Sequence, residues 1–116
     1  MPMGSVRERM QLMLDAVNGL ERNLSGTSFE EFIANPDQTA AVERYVERLS
    51  AALGHAPRSM EASHSNVDWQ AIAAIGNLLR HVYDRSLDQQ VWQVAKSNLP
   101  DLKHAIVSTM RALDEH

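Results

Sequence analysis

Apolar residues recur every three or four positions along most of the chain, and this spacing constrains the fold more than any other feature. In the first segment they are Val6, Met10, Met13, Val17, Leu20 and Leu24. Such spacing predicts an amphipathic helix that packs along another helix at a shallow angle. Because no segment alternates as a strand does, we expect an all-α domain, an up-and-down helical bundle of four to five main helices.

Turn residues divide the rest of the chain into further helices. Ser25-Gly26 ends the first helix, and a short capped helix follows, whose Phe29, Phe32 and Ile33 are expected to close one end of the bundle. A third helix is expected from Asp37 to Leu53.

The polar stretch from His55 to Val67 is the main connection, with room for one helical turn around Met60. Either Asn66 or Asp68 caps the helix that follows. The last helix is expected to start at a capping box, Ser86 to Gln89, and to kink or break briefly near Pro100, which removes a backbone donor.

Size and composition indicate one globular domain over residues 1–116, of which 1–5 are expected to be disordered or a cloning remnant. The chain has no cysteine, so it can hold neither a disulfide nor a thiolate metal site. With no apolar run long enough for a membrane or a signal peptide, we expect a soluble, cytoplasmic protein. A net charge of -4 weakly disfavours general binding to nucleic acid, although Arg80 and Arg85 could form a local basic patch.

The stretch from Ala71 to Asp84 holds the candidate site. As a helix it places Ile72, Ile75, Leu78, Leu79 and Val82 on one apolar face and Asn77, Arg80, His81 and Asp84 on the opposite arc. The other histidines show no paired ligand spacing, so we expect neither a metal nor another cofactor.

The run from Trp69 to Asp84, followed by Val91-Trp92 and Leu99-Pro100-Asp101-Leu102, resembles the HepT-like group of HEPN-domain proteins. In that group a Trp-led helix carries Asn, then His, then Tyr two residues later. Those positions are Asn77, His81 and Tyr83 in this chain. The segment F-E-E-F-I-A-N-P after the first helix also looks like the group.

The resemblance implies a helical homodimer with the polar helices facing each other across a cleft. It further implies a metal-independent endoribonuclease toxin, silenced by an MntA-like nucleotidyltransferase antitoxin that attaches AMP to the motif tyrosine. His81 would then be the acid-base group, Asn77 a supporting hydrogen-bonder and Tyr83 the modified residue, with Asp84 beside them. Imidazole can take a proton from a ribose hydroxyl, and guanidinium can hold the phosphate.

One position departs from the group's pattern. The arginine that stands before the asparagine is replaced by Gly76, and the nearest arginine is Arg80, about one helical turn further on. We hypothesise that the Arg80 side chain reaches the vacated region. Gly76 itself is typical of a close approach by another helix.

Each of these residues also has an ordinary structural explanation that involves no catalysis. Arg80 and Asp84 could form only a surface ion pair, His81 could bond Asp84, and Tyr83 could be a half-buried packing residue. At the level of the whole chain, the alternative to a ribonuclease is a non-catalytic helical dimer that acts as an interaction or scaffold protein. A nucleotide-binding domain is a weaker third reading, because no Gly-rich phosphate loop is present.

Overall fold

The structure is a computed structural model that describes residues 2–81 and 87–115, with the side chains of the first helix described from Val6 onward. Six helices follow one another, and no strand occurs in those two ranges. They are α1 (Pro2–Leu24), α2 (Phe29–Ile33), α3 (Pro36–Leu53), α4 (Arg58–Ser63), α5 (Trp69–His81) and α6 (Asp88–Asp114). The all-α helical bundle expected from the sequence is confirmed, with four long helices and two short ones.

The helix boundaries follow from local capping. Ser28 and Glu31 form a capping box at the start of α2, and Asn35 Oδ1 accepts a hydrogen bond from Gln38 N at the start of α3. At α5 the cap is Asp68, whose Oδ1 accepts a bond from Ala71 N at 3.1 Å, which decides between the two candidates. α1 begins at Pro2, about one turn before the start expected from the spacing.

α1 lies antiparallel to both α6 and α3. At one end of the α1–α6 pair Lys96 Nζ donates to the Leu24 carbonyl oxygen at 3.0 Å, and at the other Arg7 pairs with Asp114 at 3.2 Å. The ring of Tyr45 on α3 covers Gly19 on α1, where any Cβ would overlap it. The four long helices therefore enclose one shared core, to which all of them contribute buried apolar side chains.

The short helix α2 closes one end of this core. Phe32 is fully buried and Phe29 half-buried, with ring centroids 5.2 and 5.9 Å from that of Trp92. Ile33, which we expected to join them, is 39% exposed, because α2 turns only one face toward the bundle. The expected helical turn around Met60 is present as α4, and Met60 is buried.

α6 runs unbroken past Pro100, so the break considered for this position does not occur. Leu99 and Leu102, on either side of the proline, are both buried in the core and hold the helix in place. Ser86 of the expected capping box lies outside the described residues, and α6 begins at Asp88 with Leu87 as its N-cap. No helix in the described ranges is both long enough and apolar enough to cross a membrane.

Candidate functional site

The C-terminal half of α5 presents three polar side chains to solvent. Asn77, Arg80 and His81 are all exposed, whereas Ile75, Gly76 and Leu79 are buried. At 100° per residue the three polar positions fall within an arc of about 100° on the helix surface. The structure therefore brings together three of the residues that the sequence suggested for the site.

These three side chains have no partner among the described residues. Within residues 2–81 and 87–115, none of them makes a hydrogen bond, an ion pair or a ring contact. Arg80 and His81 occupy the last turn of α5, where the negative end of the helix dipole favours a cation such as the guanidinium. As far as the described residues go, an amide, a guanidinium and an imidazole are thus available to a ligand from solvent.

The packing of α5 against α3 explains why position 76 is a glycine. It faces Ser50 of α3, and a Cβ built on Gly76 would overlap the Ser50 side chain. Ser50 is itself buried, and its hydroxyl donates to the Ala73 carbonyl oxygen of α5 at 3.5 Å. The close approach of another helix expected at Gly76 is present, and it leaves no space for a larger side chain there.

The apolar face of α5 is only partly covered. Leu78, expected to point inward, is 39% exposed. With Ala71 and Ala74 it lines a shallow groove of about 240 Å³ against Gln90 and Gln93 of α6. Helical spacing alone predicts a broad apolar face but not how much of it the neighbouring helices reach.

Three residues of the predicted site helix lie outside the described residues: Val82, Tyr83 and Asp84. Their relation to His81 stays a prediction. Arg85, considered as part of a basic patch with Arg80, lies outside them as well.

Two of the other described histidines lie close together. The rings of His64 and His104 lie 5.7 Å apart, edge to face, a proximity that no sequence spacing could reveal. In the described ranges no group of three or more His, Asp or Glu side chains could hold a metal ion. Two exposed or half-exposed imidazoles are fewer ligands than a structural or catalytic zinc site uses.

Comparison with known proteins places the chain in a family. It is 27% identical over 104 residues to a protein of Caldanaerobacter subterraneus named "Putative RNase", covering 90% of this chain and 93% of that protein. It is 23% identical over 99 residues to the "Probable ribonuclease HepT" of Thermococcus cleftensis, covering 85% and 90%. A protein of Methanocaldococcus jannaschii, also named "Putative RNase", is 23% identical over 115 residues, 99% of each chain.

No solved structure matches the chain significantly. The model of the family described as "Ribonuclease HepT-like" matches residues 13–109, which include all of α3 and α5, with Asn77, Arg80 and His81, the C-terminal half of α1 and most of α6. The chain therefore belongs to the ribonuclease HepT-like family.

Proposed function

We propose that the protein is a metal-independent endoribonuclease whose site is the exposed end of α5. The observation that carries the proposal is the grouping of Asn77, Arg80 and His81 on one exposed arc, without partners in the described ranges, in a chain of this family. A solvent-facing helix surface is ordinarily polar, so the family match is what gives this grouping its weight. This grouping supports a role toward a ligand.

In the proposed reaction the His81 imidazole takes the proton of a ribose 2′-hydroxyl. The 2′-oxygen then attacks the adjacent phosphorus, and the bond from phosphorus to the 5′-oxygen breaks. The products are a 2′,3′-cyclic phosphate and a 5′-hydroxyl, whose proton comes from a second acid or from water. Arg80 holds the phosphate as charge develops, and Asn77 donates a hydrogen bond to the same group.

We further propose that the active form is a homodimer in which two such arcs face each other across a cleft. One subunit then supplies the base and the other the acid. The partner that silences the protein is a nucleotidyltransferase antitoxin, which transfers AMP to Tyr83. This toxin and antitoxin pairing rests on the family resemblance.

Cleavage of a labelled RNA in the presence of a chelator tests the reaction. His81→Ala should lower the rate about 10²- to 10⁴-fold, the usual contribution of a general acid or base, and Arg80→Ala and Asn77→Ala should lower it as well. His55→Ala and Arg58→Ala replace exposed residues of the same types elsewhere, and they should retain the parent rate. Unchanged cleavage by His81→Ala would remove that residue from the mechanism.

A second assay tests whether an antitoxin modifies Tyr83. A nucleotidyltransferase antitoxin and labelled ATP should label the parent but not Tyr83→Phe. Tyr45→Phe is the matched control, because Tyr45 is half-buried between α1 and α3, and it should still be labelled. Equal labelling of Tyr83→Phe and the parent would exclude Tyr83 as the acceptor.

One observation favours the non-catalytic alternative. The position that the resemblance assigns to the arginine is Gly76, packed against Ser50, so an arginine there would require α3 and α5 to move apart. If Arg80 does not compensate, the protein retains the bundle and binds partners without cutting RNA. A folded parent, free of AMP, that leaves RNA intact would support this scaffold function.

A further inference from the structure

A second surface of the molecule, distant in sequence from α5, has the features of a protein contact. Leu12 on α1 is 52% exposed, more than any other large apolar side chain in the described part of the chain. It borders a groove of about 370 Å³ between α1 and α3, which we call the α1–α3 groove. The lining residues are Arg9, Leu12, Asp15, Ala16, Tyr45, Arg48, Ala51 and Ala52.

The shape of this groove suits another helix. The small side chains of Ala16, Ala51 and Ala52 form much of its lining, so a neighbouring helix could approach closely. Leu12 stands beside this depression as a protruding apolar group. A protrusion and a depression side by side on one surface are what a self-complementary contact requires.

The charges around Leu12 are arranged with the same self-complementarity. Arg9 stands three residues before Leu12 and Asp15 three residues after it, so each lies about 4.5 Å from it along the helix axis. Neither forms an ion pair with any described residue, and Asp15 only accepts a hydrogen bond from Gln11 at 3.0 Å. If two α1 helices meet antiparallel at Leu12, Arg9 of each copy comes level with Asp15 of the other.

We propose that the α1–α3 groove is a contact between two copies of this chain, related by a two-fold axis beside Leu12. Leu12 of each copy enters the groove of the other, and the two reciprocal pairs of Arg9 with Asp15 set the register. Exposed ion pairs contribute little affinity, so the burial of Leu12 drives the association and the charges select the geometry.

This contact is separate from the cleft proposed at α5 and does not depend on ribonuclease activity. A chain with two different isologous contacts assembles beyond a dimer, into a closed tetramer or a longer array. If the α5 cleft does not form, the same groove yields a simple dimer.

Mass in solution, measured over a range of protein concentrations, tests the contact. Leu12→Asp should raise the protein concentration at which half of the chains are associated by about tenfold or more. A tenfold change corresponds to about 1.4 kcal/mol of association free energy. The fold should survive, because Leu12 is largely exposed, and circular dichroism checks this. Equal association of the parent and Leu12→Asp would overturn the proposal.

Charge reversal supplies an internal control. Arg9→Glu alone and Asp15→Arg alone place like charges opposite each other at both reciprocal positions, and each should weaken association. The double variant Arg9→Glu with Asp15→Arg should restore it. Arg58→Glu, at an exposed arginine outside the groove, should leave it unchanged. Failure of the double variant to recover would contradict the two-fold arrangement.

The absence of cysteine from the chain allows a direct geometric test. Leu12→Cys should form a disulfide-linked dimer rapidly under mild oxidation, because the two-fold axis brings position 12 close to its own copy. Ile33→Cys, at another exposed apolar position, should not.

Arg9 and Arg48, which line the same groove, could also bind the phosphates of an RNA strand. If Arg9→Glu loses RNA binding while its mass in solution stays unchanged, the groove is an RNA contact and not a contact between two copies.

Discussion

Gly76 of α5 lies directly against Ser50 of α3, so that a Cβ at position 76 would occupy the space of the Ser50 side chain. Ser50 in turn donates to the carbonyl oxygen of Ala73, one turn earlier on α5. This contact holds α5 close to the bundle at the point where its exposed side carries Asn77. The same contact explains both the tight packing of the two helices and the absence of an arginine before Asn77.

Gly76→Ala should therefore destabilise the protein, although alanine is the better helix former. Overpacking a tight contact typically costs about 1 to 3 kcal/mol, more than the gain in helix propensity. Chemical denaturation of the parent and the variant measures the difference. Gly54→Ala is the matched control, because a Cβ there meets nothing nearer than 3.7 Å, and its stability should stay within about 0.5 kcal/mol of the parent.

Gly76→Arg, which places an arginine before Asn77 as the resemblance to the HepT-like group implies, should not increase RNA cleavage. The side chain would begin on the buried side of α5, so we expect a lower melting temperature than for Gly76→Ala and no gain in RNA cleavage. Thermal unfolding and the cleavage assay measure both effects, with Gly54→Arg as an exposed control. A stable Gly76→Arg variant with faster cleavage would show that α3 and α5 can separate to admit the guanidinium.

Asn98 joins α6 to the start of α5. It is buried, its Oδ1 accepts a bond from Asp68 N at 2.9 Å, and its Nδ2 donates to the Val94 carbonyl oxygen at 2.8 Å. Asn98→Ala leaves the Asp68 N–H without this acceptor, so we expect a loss of about 1 to 3 kcal/mol in the free energy of unfolding. Denaturant titration measures it.

The control for Asn98 is Asn77→Ala on the same pair of helices. Asn77 is exposed and makes no hydrogen bond within residues 2–81 and 87–115, so its removal should change stability by less than about 0.5 kcal/mol. Equal losses in the two variants would mean that the bonds of Asn98 contribute nothing specific.

Much of the bundle could be predicted because helices depend on local sequence features, namely the spacing of apolar residues and the capping residues at their ends. The spacing from Val6 to Leu24 indicates a buried stripe, and most of those residues are indeed buried. The way the helices pack against one another cannot be predicted from such local features. Nothing local to Gly76 identifies Ser50 as its neighbour, and nothing local to Ile33 or Leu78 shows that the bundle leaves them exposed.

The candidate site, too, could be predicted only in part from the sequence. The exposure of Asn77, Arg80 and His81 follows from helical periodicity and is confirmed. Their lack of partners within residues 2–81 and 87–115 depends on which charges the neighbouring helices bring near, and only the structure reveals it. Their chemical role remains a prediction, because exposure and freedom allow catalysis without requiring it.

The capping box of α2 should make stability depend on pH. Ser28 N donates to Glu31 Oε1 at 3.0 Å and Glu31 N to Ser28 Oγ at 3.1 Å, and the backbone bond first, then the hydroxyl, lowers the pKa of Glu31 below its ordinary value of 4.5. Because the folded state holds the proton less tightly, this stabilisation is complete above the ordinary pKa. It is lost as pH falls through the lowered one.

Glu31→Gln keeps the shape of the cap but removes the charge. The parent should therefore melt at a higher temperature than the variant near pH 7, and the difference should shrink toward zero as the pH falls below about 4.5. Glu30→Gln, in the same turn but without a side-chain hydrogen bond within the described ranges, should show a smaller change. A difference between parent and Glu31→Gln that stays constant or grows on acidification would mean that the ionised carboxylate does not stabilise α2.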